Sequence, residues 1–189
     1  NEGADFGDEN FIVKASNGKI YGITQGFYNK GVLFEYDYLN NVYTKKLDFV
    51  DATGYHPTGK MIEVPGGKLY GMTEMGGAFN NGVIFEYDYN TNTYTDKFDF
   101  TSQEGGSQSF TLGANGKLYA ITISGGTSGF TPAIFEYDYI NNIYTRKVEF
   151  TAAFVDQPTS PLLAASNGKI YGTAMKPGFP PSAVGVLYE

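Results

Sequence analysis

The chain repeats itself with a period of about 50 residues, and this repetition constrains its fold more than any other feature. The segment NGKIYGIT at Asn17 returns as GGKLYGMT at Gly66, NGKLYAIT at Asn115 and NGKIYGTA at Asn167, at intervals of 49, 49 and 52 residues. A period of this size that carries only strand signals is typical of β-propeller blades. Helical solenoids would need apolar residues at helical spacing, which the repeats lack.

Each period reads as four short strands, which we call a, b, c and d. In the first repeat they are expected at Phe11–Ala15, Lys19–Thr24, Gly31–Tyr38 and Val42–Phe49. Asn-Gly joins a to b and Asn-Asn joins c to d, and both residue types suit tight turns because they tolerate positive φ. Sheets of such short strands need neighbouring sheets on both faces, so the repeats predict an all-β propeller.

Composition excludes several classes of protein. The net charge of −7 and the scattered Lys and Arg residues argue against a nucleic-acid partner, which needs a basic face. No stretch is long and apolar enough to cross a bilayer, so we expect no membrane insertion. The chain has no cysteine, which excludes disulfides and thiolate metal sites.

The two ends of the chain suggest how a ring of blades would close. Ala4–Phe6 aligns with the end of strand d in each repeat, and the last residues, GVLYE, align with a strand c. We therefore expect one propeller domain over residues 1–189, with its N-terminal strand d completing the last blade. Its blades are expected at 11–49, 60–100, 109–150 and 160–189 plus 1–6. The alternative is a piece of a longer repeat array cut between strands c and d.

The segment GKLYGMTEMGGAFNNGVIFEYD, at 67–88, resembles the GloVer tandem repeat of choice-of-anchor tandem repeat proteins. It is also similar to a kelch blade, except that Tyr43, Tyr94 and Tyr144 stand where kelch repeats usually carry Trp. The resemblance covers nearly the whole chain. It implies kelch-like propeller blades and an extracellular or cell-surface setting in bacteria, and it implies no chemistry, since such folds host binders and enzymes alike.

One glutamate recurs in strand c of every repeat: Glu35, Glu86, Glu136 and Glu189. Four carboxylates could serve acid–base chemistry or bind a metal. However, a two-residue Asn40-Asn41 turn would place Glu35 opposite Lys46, and the same register pairs Glu86 with Lys97 and Glu136 with Lys147. Cross-strand ion pairs explain the repetition, so we interpret the glutamates as structural.

No other group of residues predicts catalysis or a cofactor. Asp88, Asn90 and Asn92 alternate as in a calcium loop, but the sibling turns lack this pattern and a hairpin turn explains it. His56 is the only histidine, and the sequence shows no Ser or Cys in a recognisable setting with which it could form a catalytic triad. We therefore expect no catalytic residues, no metal site and no cofactor.

The loops between strands b and c, and between d and the next a, vary in length and should emerge on one face of a propeller. Variable loops on a rigid scaffold commonly carry recognition, and these contain aromatic residues that could stack on sugars or dock a protein. The alternative is that each ring packs over the neighbouring blade. The ligand-binding candidates are Phe27, Tyr28, Tyr55, His56, Phe79, Phe130, Phe154 and Phe179.

Strand a offers two further candidates at positions expected to lie near the propeller axis. Lys14 and Glu63 align three residues before the a–b turn, where the other repeats carry Leu112 and Ala164. They could line a small-ligand channel, or form an ion pair that fills it.

These observations favour a non-catalytic, secreted or cell-surface binding module that recognises glycan or protein through its loop face. An alternative is a structural repeat segment of a larger surface adhesin or assembly with no ligand of its own. A third hypothesis is a propeller-type polysaccharide lyase or hydrolase, for which the sequence shows no convergent catalytic cluster.

Overall fold

The computed structural model describes residues 11–25, 30–102, 104, 109–122, 131–150, 157–158, 161–176 and 184–189. The chain divides into two compact units, residues 1–101 and 102–189. Within the described residues, the regular structure is antiparallel strand apart from a single 3₁₀ turn at Asp51–Thr53. The all-β prediction is confirmed.

The first unit contains two sheets in which neighbouring strands follow the chain order. The strands of the first sheet are β1 (Ile12–Lys14), β2 (Ile20–Thr24), β3 (Val32–Asp37) and β4 (Val42–Asp48). The strands of the second sheet are β5 (Tyr55–Val64), β6 (Lys68–Met75), β7 (Val83–Asp88) and β8 (Thr93–Asp99). They are the predicted a, b, c and d strands of two repeats.

The second unit contains two more antiparallel sheets. The third sheet consists of β9 (Thr111–Leu112), β10 (Leu118–Thr122), β11 (Ala133–Asp138) and β12 (Ile143–Glu149). The fourth consists of β13 (Gln157–Pro158), β14 (Leu163–Ala164), β15 (Ile170–Lys176) and β16 (Val184–Tyr188). In it, β13 and β14 pair with two successive parts of β15, and β16 pairs with the other edge of β15.

In each of the first three sheets, a phenylalanine of strand c stacks on a tyrosine of strand d. Gly71 in β6 has no side chain, and a Cβ there would lie 2.9 Å from Cε1 of Phe85 and 3.1 Å from Cγ of Met61. Phe85 is fully buried and stacks on Tyr94 of β8, with ring centroids 5.3 Å apart. Equivalent stacks join Phe34 to Tyr43 and Phe135 to Tyr144. Tyr43, Tyr94 and Tyr144 therefore each provide a flat packing surface for a strand-c phenylalanine.

The turn between strands c and d differs from the two-residue turn predicted from the sequence. Asp37 pairs with Val42, so four residues, 38–41, form the loop. The carboxylate of Asp37 accepts hydrogen bonds from the backbone N–H groups of Leu39 and Asn40, each at 3.1 Å, and Asn41 has a φ of 54°. The side chain of Asp37 thus stabilises a longer turn, as aspartate often does.

Strand d also contains one extra residue. Leu33 pairs with Leu47 and Phe34 pairs with Lys45, so Lys46 is a bulge opposite β3. Lys97 and Lys147 occupy the same bulge position in the second and third sheets. The predicted pairing of Glu35 directly opposite Lys46 is therefore wrong, because Glu35 faces Thr44. A bulge re-aims the extra side chain and interrupts a sheet edge.

Candidate functional site

The repeated glutamates are neutralised by cations from two neighbouring strands. Glu35 accepts from the Lys19 ammonium of β2 at 2.6 Å and from the bulged Lys46 of β4 at 3.1 Å. Its other partner is the Tyr21 hydroxyl, at 2.7 Å. Burial raises the pKa of the Glu35 carboxyl, but these hydrogen bonds and the charge of Lys46 outweigh burial and lower the pKa below its ordinary value.

The same network recurs in the second and third sheets. Glu86 accepts from Lys68 at 2.9 Å and from the Tyr70 hydroxyl. Glu136 accepts from Lys117 at 3.0 Å and from the Tyr119 hydroxyl, with Lys147 at 3.6 Å. The bulge lysines predicted as partners are confirmed for Glu35 and Glu136. The strand-b lysines were missed, although every repeat carries the Lys-x-Tyr pattern that signals them.

Neither a metal site nor a membrane-spanning helix is found in the part of the chain that the structure describes. No group of three His, Cys, Asp or Glu side chains there could hold a metal ion. No helix there is long and apolar enough to cross a bilayer. The carboxylate of Asp88 instead accepts from the backbone N–H groups of Asn90 and Thr91, at 2.9 and 3.3 Å, which makes 88–92 a hairpin turn.

Lys14 and Glu63 have different partners from the ion pair considered above. The ammonium of Lys14 lies 5.4 Å from the ring centroid of Tyr38, a cation–π contact. Glu63 accepts from the backbone N–H of Ser16 at 2.9 Å, from the Ser16 hydroxyl at 2.7 Å and from the Tyr89 hydroxyl at 2.6 Å. Glu63 therefore ties the first sheet to the second, and a channel lined by these two residues stays a prediction.

Tyr55 and His56 lie at the start of β5 rather than in a loop. Strand β5 begins at Tyr55, five residues before the expected start of the second blade. A register irregularity between Thr58 and Ile62, where Gly59 has a φ of 62°, allows β5 to continue its pairing with β6 on both sides. The rings of Tyr55 and His56 meet edge to face at 5.3 Å. Both side chains are partly exposed.

A charged residue from another segment contacts the ring of Tyr55. The ammonium of Lys30, just before β3, lies 5.1 Å from the centroid of the Tyr55 ring. The same ammonium forms an ion pair with the exposed carboxylate of Asp51. The backbone N–H of His56 donates to the Lys30 carbonyl at 3.0 Å. The Tyr55 ring thus contacts a cation and an imidazole, and the cation is itself paired with the Asp51 carboxylate.

Phe79 lies on the b–c loop of the second sheet, which we define as the 76–82 loop. The backbone N–H of Gly77 donates to the Asp51 carbonyl at 2.8 Å, which anchors this loop beside the Tyr55 group. The Phe79 side chain is 60% exposed. This exposure favours the recognition hypothesis over the packing alternative for Phe79, and its role in binding stays a prediction.

The structure gathers three of the eight aromatic candidates at one end of the second sheet. We call Lys30, Asp51, Tyr55, His56 and Phe79 the loop-face patch. Sequence reasoning missed Lys30 and Asp51, because no spacing rule connects them to Tyr55. The other candidates lie outside the described residues: Phe27, Tyr28, Phe130, Phe154 and Phe179.

Solved structures that resemble the chain share its fold at low sequence identity. The extracellular domain of a candidate one-component system from B. thetaiotaomicron matches with a TM-score of 0.57 at 16% identity, over 85% of this chain and 20% of that one. A candidate 6-phosphogluconolactonase from Bacteroides uniformis matches with a TM-score of 0.54 at 21% identity, over 86% and 46%. The xyloglucan PUL GH43B protein of Bacteroides ovatus matches with a TM-score of 0.52 at 12% identity, over 93% and 37%.

The chain thus spans less than half the length of these three structures, and the likeness concerns the fold alone. No curated protein is significantly similar to it in sequence. The repeat itself is decisive: the model of the Gloeobacter/Verrucomicrobia repeat matches residues 1–188. The resemblance seen in the sequence is confirmed, and the chain belongs to the Gloeobacter/Verrucomicrobia repeat family.

Proposed function

We propose that the chain is a non-catalytic binding module, secreted or displayed on a bacterial surface, that recognises glycan or protein through its loop face. The exposed ring of Phe79 is the observation that carries this proposal. This ring lies in the loop-face patch with the partly exposed Tyr55 and His56, and a patch of exposed aromatic side chains commonly marks an interaction site. Aromatic rings stack on sugar rings and act as anchors in protein interfaces.

The backbone beneath Phe79 supports a binding role because it is already ordered. The Gly82 N–H donates to the Gly76 carbonyl at 3.0 Å, and the Asn80 N–H donates to the Gly77 carbonyl at 3.3 Å. The Ala78 N–H donates to the Asp99 carboxylate at 2.5 Å. A ligand that contacts Phe79 would not have to order this loop, which reduces the entropic cost of binding.

Two other functions have specific support. The solved structures that resemble the chain are longer than it, which is consistent with a structural repeat segment of a larger surface adhesin or assembly. They also include a GH43B protein and a candidate 6-phosphogluconolactonase, so a polysaccharide lyase or hydrolase is our third hypothesis. Release of reducing ends from a polysaccharide by the purified chain would favour the third.

Phe79→Ala is expected to weaken ligand binding about tenfold or more, because losing an aromatic anchor commonly costs over 1.4 kcal/mol of binding free energy. Binding to a panel of neutral and acidic polysaccharides, xyloglucan included, would be measured by the change in tyrosine fluorescence and by calorimetry. Leu39→Ala is the matched control, because Leu39 is 80% exposed at the opposite end of the strands. Equal losses in both variants, or no binding by the wild-type chain, would contradict the proposal.

We also infer that the four sheets form a closed ring, in which Ala4–Phe6 pairs with the free edge of β16. Leu187 of β16 is 69% exposed, whereas Leu33 at the equivalent position of β3 is fully buried and pairs with Leu47 of a strand d. A strand added to β16 would cover Leu187 and remove an exposed sheet edge.

The double variant Asp5→Cys, Val186→Cys tests this closure, since Val32 pairs with Asp48 at the equivalent positions. The chain has no native cysteine, so only the new thiols can react. We expect rapid oxidation to an intramolecular disulfide in a monomer of 20.6 kDa. Disulfide-linked dimers and higher species, measured by non-reducing electrophoresis and light scattering, would instead indicate an open array.

A further inference from the structure

The fourth strand of each of the first three sheets carries a pair of charged residues three positions apart, and the second sheet departs from the other two. In β4, Lys45 pairs with Asp48 at 3.0 Å. In β12, Arg146 pairs with Glu149 at 2.7 Å. The equivalent residues of β8 are Asp96 and Asp99, two carboxylates where the other sheets place a cation beside an anion.

A backbone hydrogen bond with Phe98 favours the charged form of Asp96, but burial and the Asp99 charge outweigh it. One carboxylate oxygen of Asp96, Oδ1, is buried and has no hydrogen-bond partner among the described residues. Across the strand pair it faces Phe85, which is uncharged. The nearby titratable groups are Asp99 and the phenol of Tyr94. The charge of the neighbouring Lys97 lowers the pKa of Glu86 instead. Burial and then the Asp99 charge raise the pKa of Asp96 to about 6.

Asp99, the other member of the pair, fixes the 76–82 loop. Its Oδ1 accepts the Ala78 N–H at 2.5 Å, one residue before Phe79. The same oxygen lies against Gly77, where an added Cβ would be 2.5 Å away. Because Asp99 faces both this loop and Asp96, the charge on Asp96 influences how firmly the loop is held.

We propose that the Asp96–Asp99 pair is a proton-operated latch for the 76–82 loop. When Asp96 holds a proton taken from solvent, the pair carries one negative charge, and Asp99 stays hydrogen-bonded to Ala78. When Asp96 releases the proton, two negative charges oppose each other, and the pair separates at the expense of the loop anchor. The latch is closed at mildly acidic pH and loosened at neutral pH.

The direction of the pH effect follows from linkage. A carboxyl whose pKa is raised by folding contributes stability that is fully present below its unfolded pKa of about 3.9. That contribution is lost as the pH rises through the folded value, here about 6. The latch therefore acts between about pH 4 and 7, and its contribution to stability decreases as the pH rises. The contributions of the repeated glutamates increase with pH instead, because the pKa values of these carboxyls are lowered: Glu35, Glu86 and Glu136.

Hydrogen exchange at the Ala78 amide tests the latch without any ligand, so its outcome does not depend on the proposed binding function. The protection factor of this amide would be measured at pH 5 and pH 7.5 in EDTA, for the wild type, Asp96→Asn and Asp96→Lys. We expect wild-type protection to fall about tenfold between the two pH values. Both variants should keep the acid-state protection at both pH values, because Asn is uncharged and Lys restores the cation found at Lys45.

Two results would overturn the proposal. One is wild-type protection that tracks that of Asp96→Asn at both pH values, since ionisation of Asp96 would then not reach the loop. The other is full recovery of Ala78 amide protection at pH 7.5 when calcium chloride replaces EDTA. A metal ion bound between Asp96 and Asp99, and not a proton, would then hold the loop. The melting temperatures of all three proteins, taken in parallel, would report any global unfolding.

Discussion

Gly82→Ala is expected to destabilise the protein by about 3 kcal/mol or more, because an L side chain is both strained and obstructed there. Gly82 has a φ of +87°, and an added Cβ would collide with the Thr73 carbonyl oxygen. It would also lie 2.8 Å from the Thr73 carbonyl carbon and 3.0 Å from that of Glu74. Left-handed backbone costs an L residue about 1–2 kcal/mol, and overpacking typically adds about 1–3.

Gly66→Ala is the matched control for this prediction. Gly66 has a similar φ of +96°, but nothing lies within 4 Å of an added Cβ. Only the strain remains, so we expect a loss of about 1 kcal/mol. Urea unfolding followed by tyrosine fluorescence would measure both variants. Equal losses would show that contact with Thr73 contributes nothing.

Glu86→Gln is expected to lower the free energy of unfolding by about 2 kcal/mol at pH 7. Gln keeps the size of the side chain but leaves the ammonium of Lys68 and the buried Tyr70 hydroxyl without a charged acceptor. Losing a partner of a buried polar group costs about 1–3 kcal/mol. The Lys68 side chain is 38% exposed, so water screens part of the loss.

The destabilisation caused by Glu86→Gln should disappear at acidic pH. Although burial raises the pKa of Glu86, hydrogen bonds from Tyr70 and Lys68 lower it overall. A lowered carboxyl pKa contributes stability above the unfolded value of about 4.3, and the contribution is lost as the pH falls through the folded value. Unfolding free energies of the wild type and Glu86→Gln would be compared at pH 7, 5 and 3.5. A difference that stays constant with pH would contradict this origin, and Glu74→Gln, on an exposed residue, controls for the substitution itself.

The strands could be predicted from the sequence because their signals are local and repeat four times. The partners of Glu35 were harder to predict. The prediction of Lys46 as a partner of Glu35 assumes a two-residue turn. Lys46 is indeed a partner, but the four-residue turn and the bulge both change the register from which it is predicted. A bulge depends on twist and on contacts with the neighbouring strand, which no pattern of apolar and polar residues records.

The candidate site depended on features that lie outside the repeat pattern. Tyr55 and His56 follow Gly54 and precede Pro57 and Gly59, and such residues indicate a loop. In the structure β5 nevertheless begins at Tyr55, because pairing with the long strand β6 overrides that local preference. The exposure of Phe79 depends on the path of its loop, which Gly77 and Asp99 fix through contacts distant in sequence.

The origin of each glutamate's partners has a consequence for how such proteins change in length. Lys19, Tyr21 and Lys46, the partners of Glu35, all belong to the same repeat as that glutamate. A duplicated repeat would therefore contain both its strand-c glutamate and the partners of that glutamate. The glutamate would need no partner from the repeats on either side. Gene duplication can lengthen or shorten an array of such units without creating an unpaired buried carboxylate, so copy number is free to evolve separately from the chemistry of any loop.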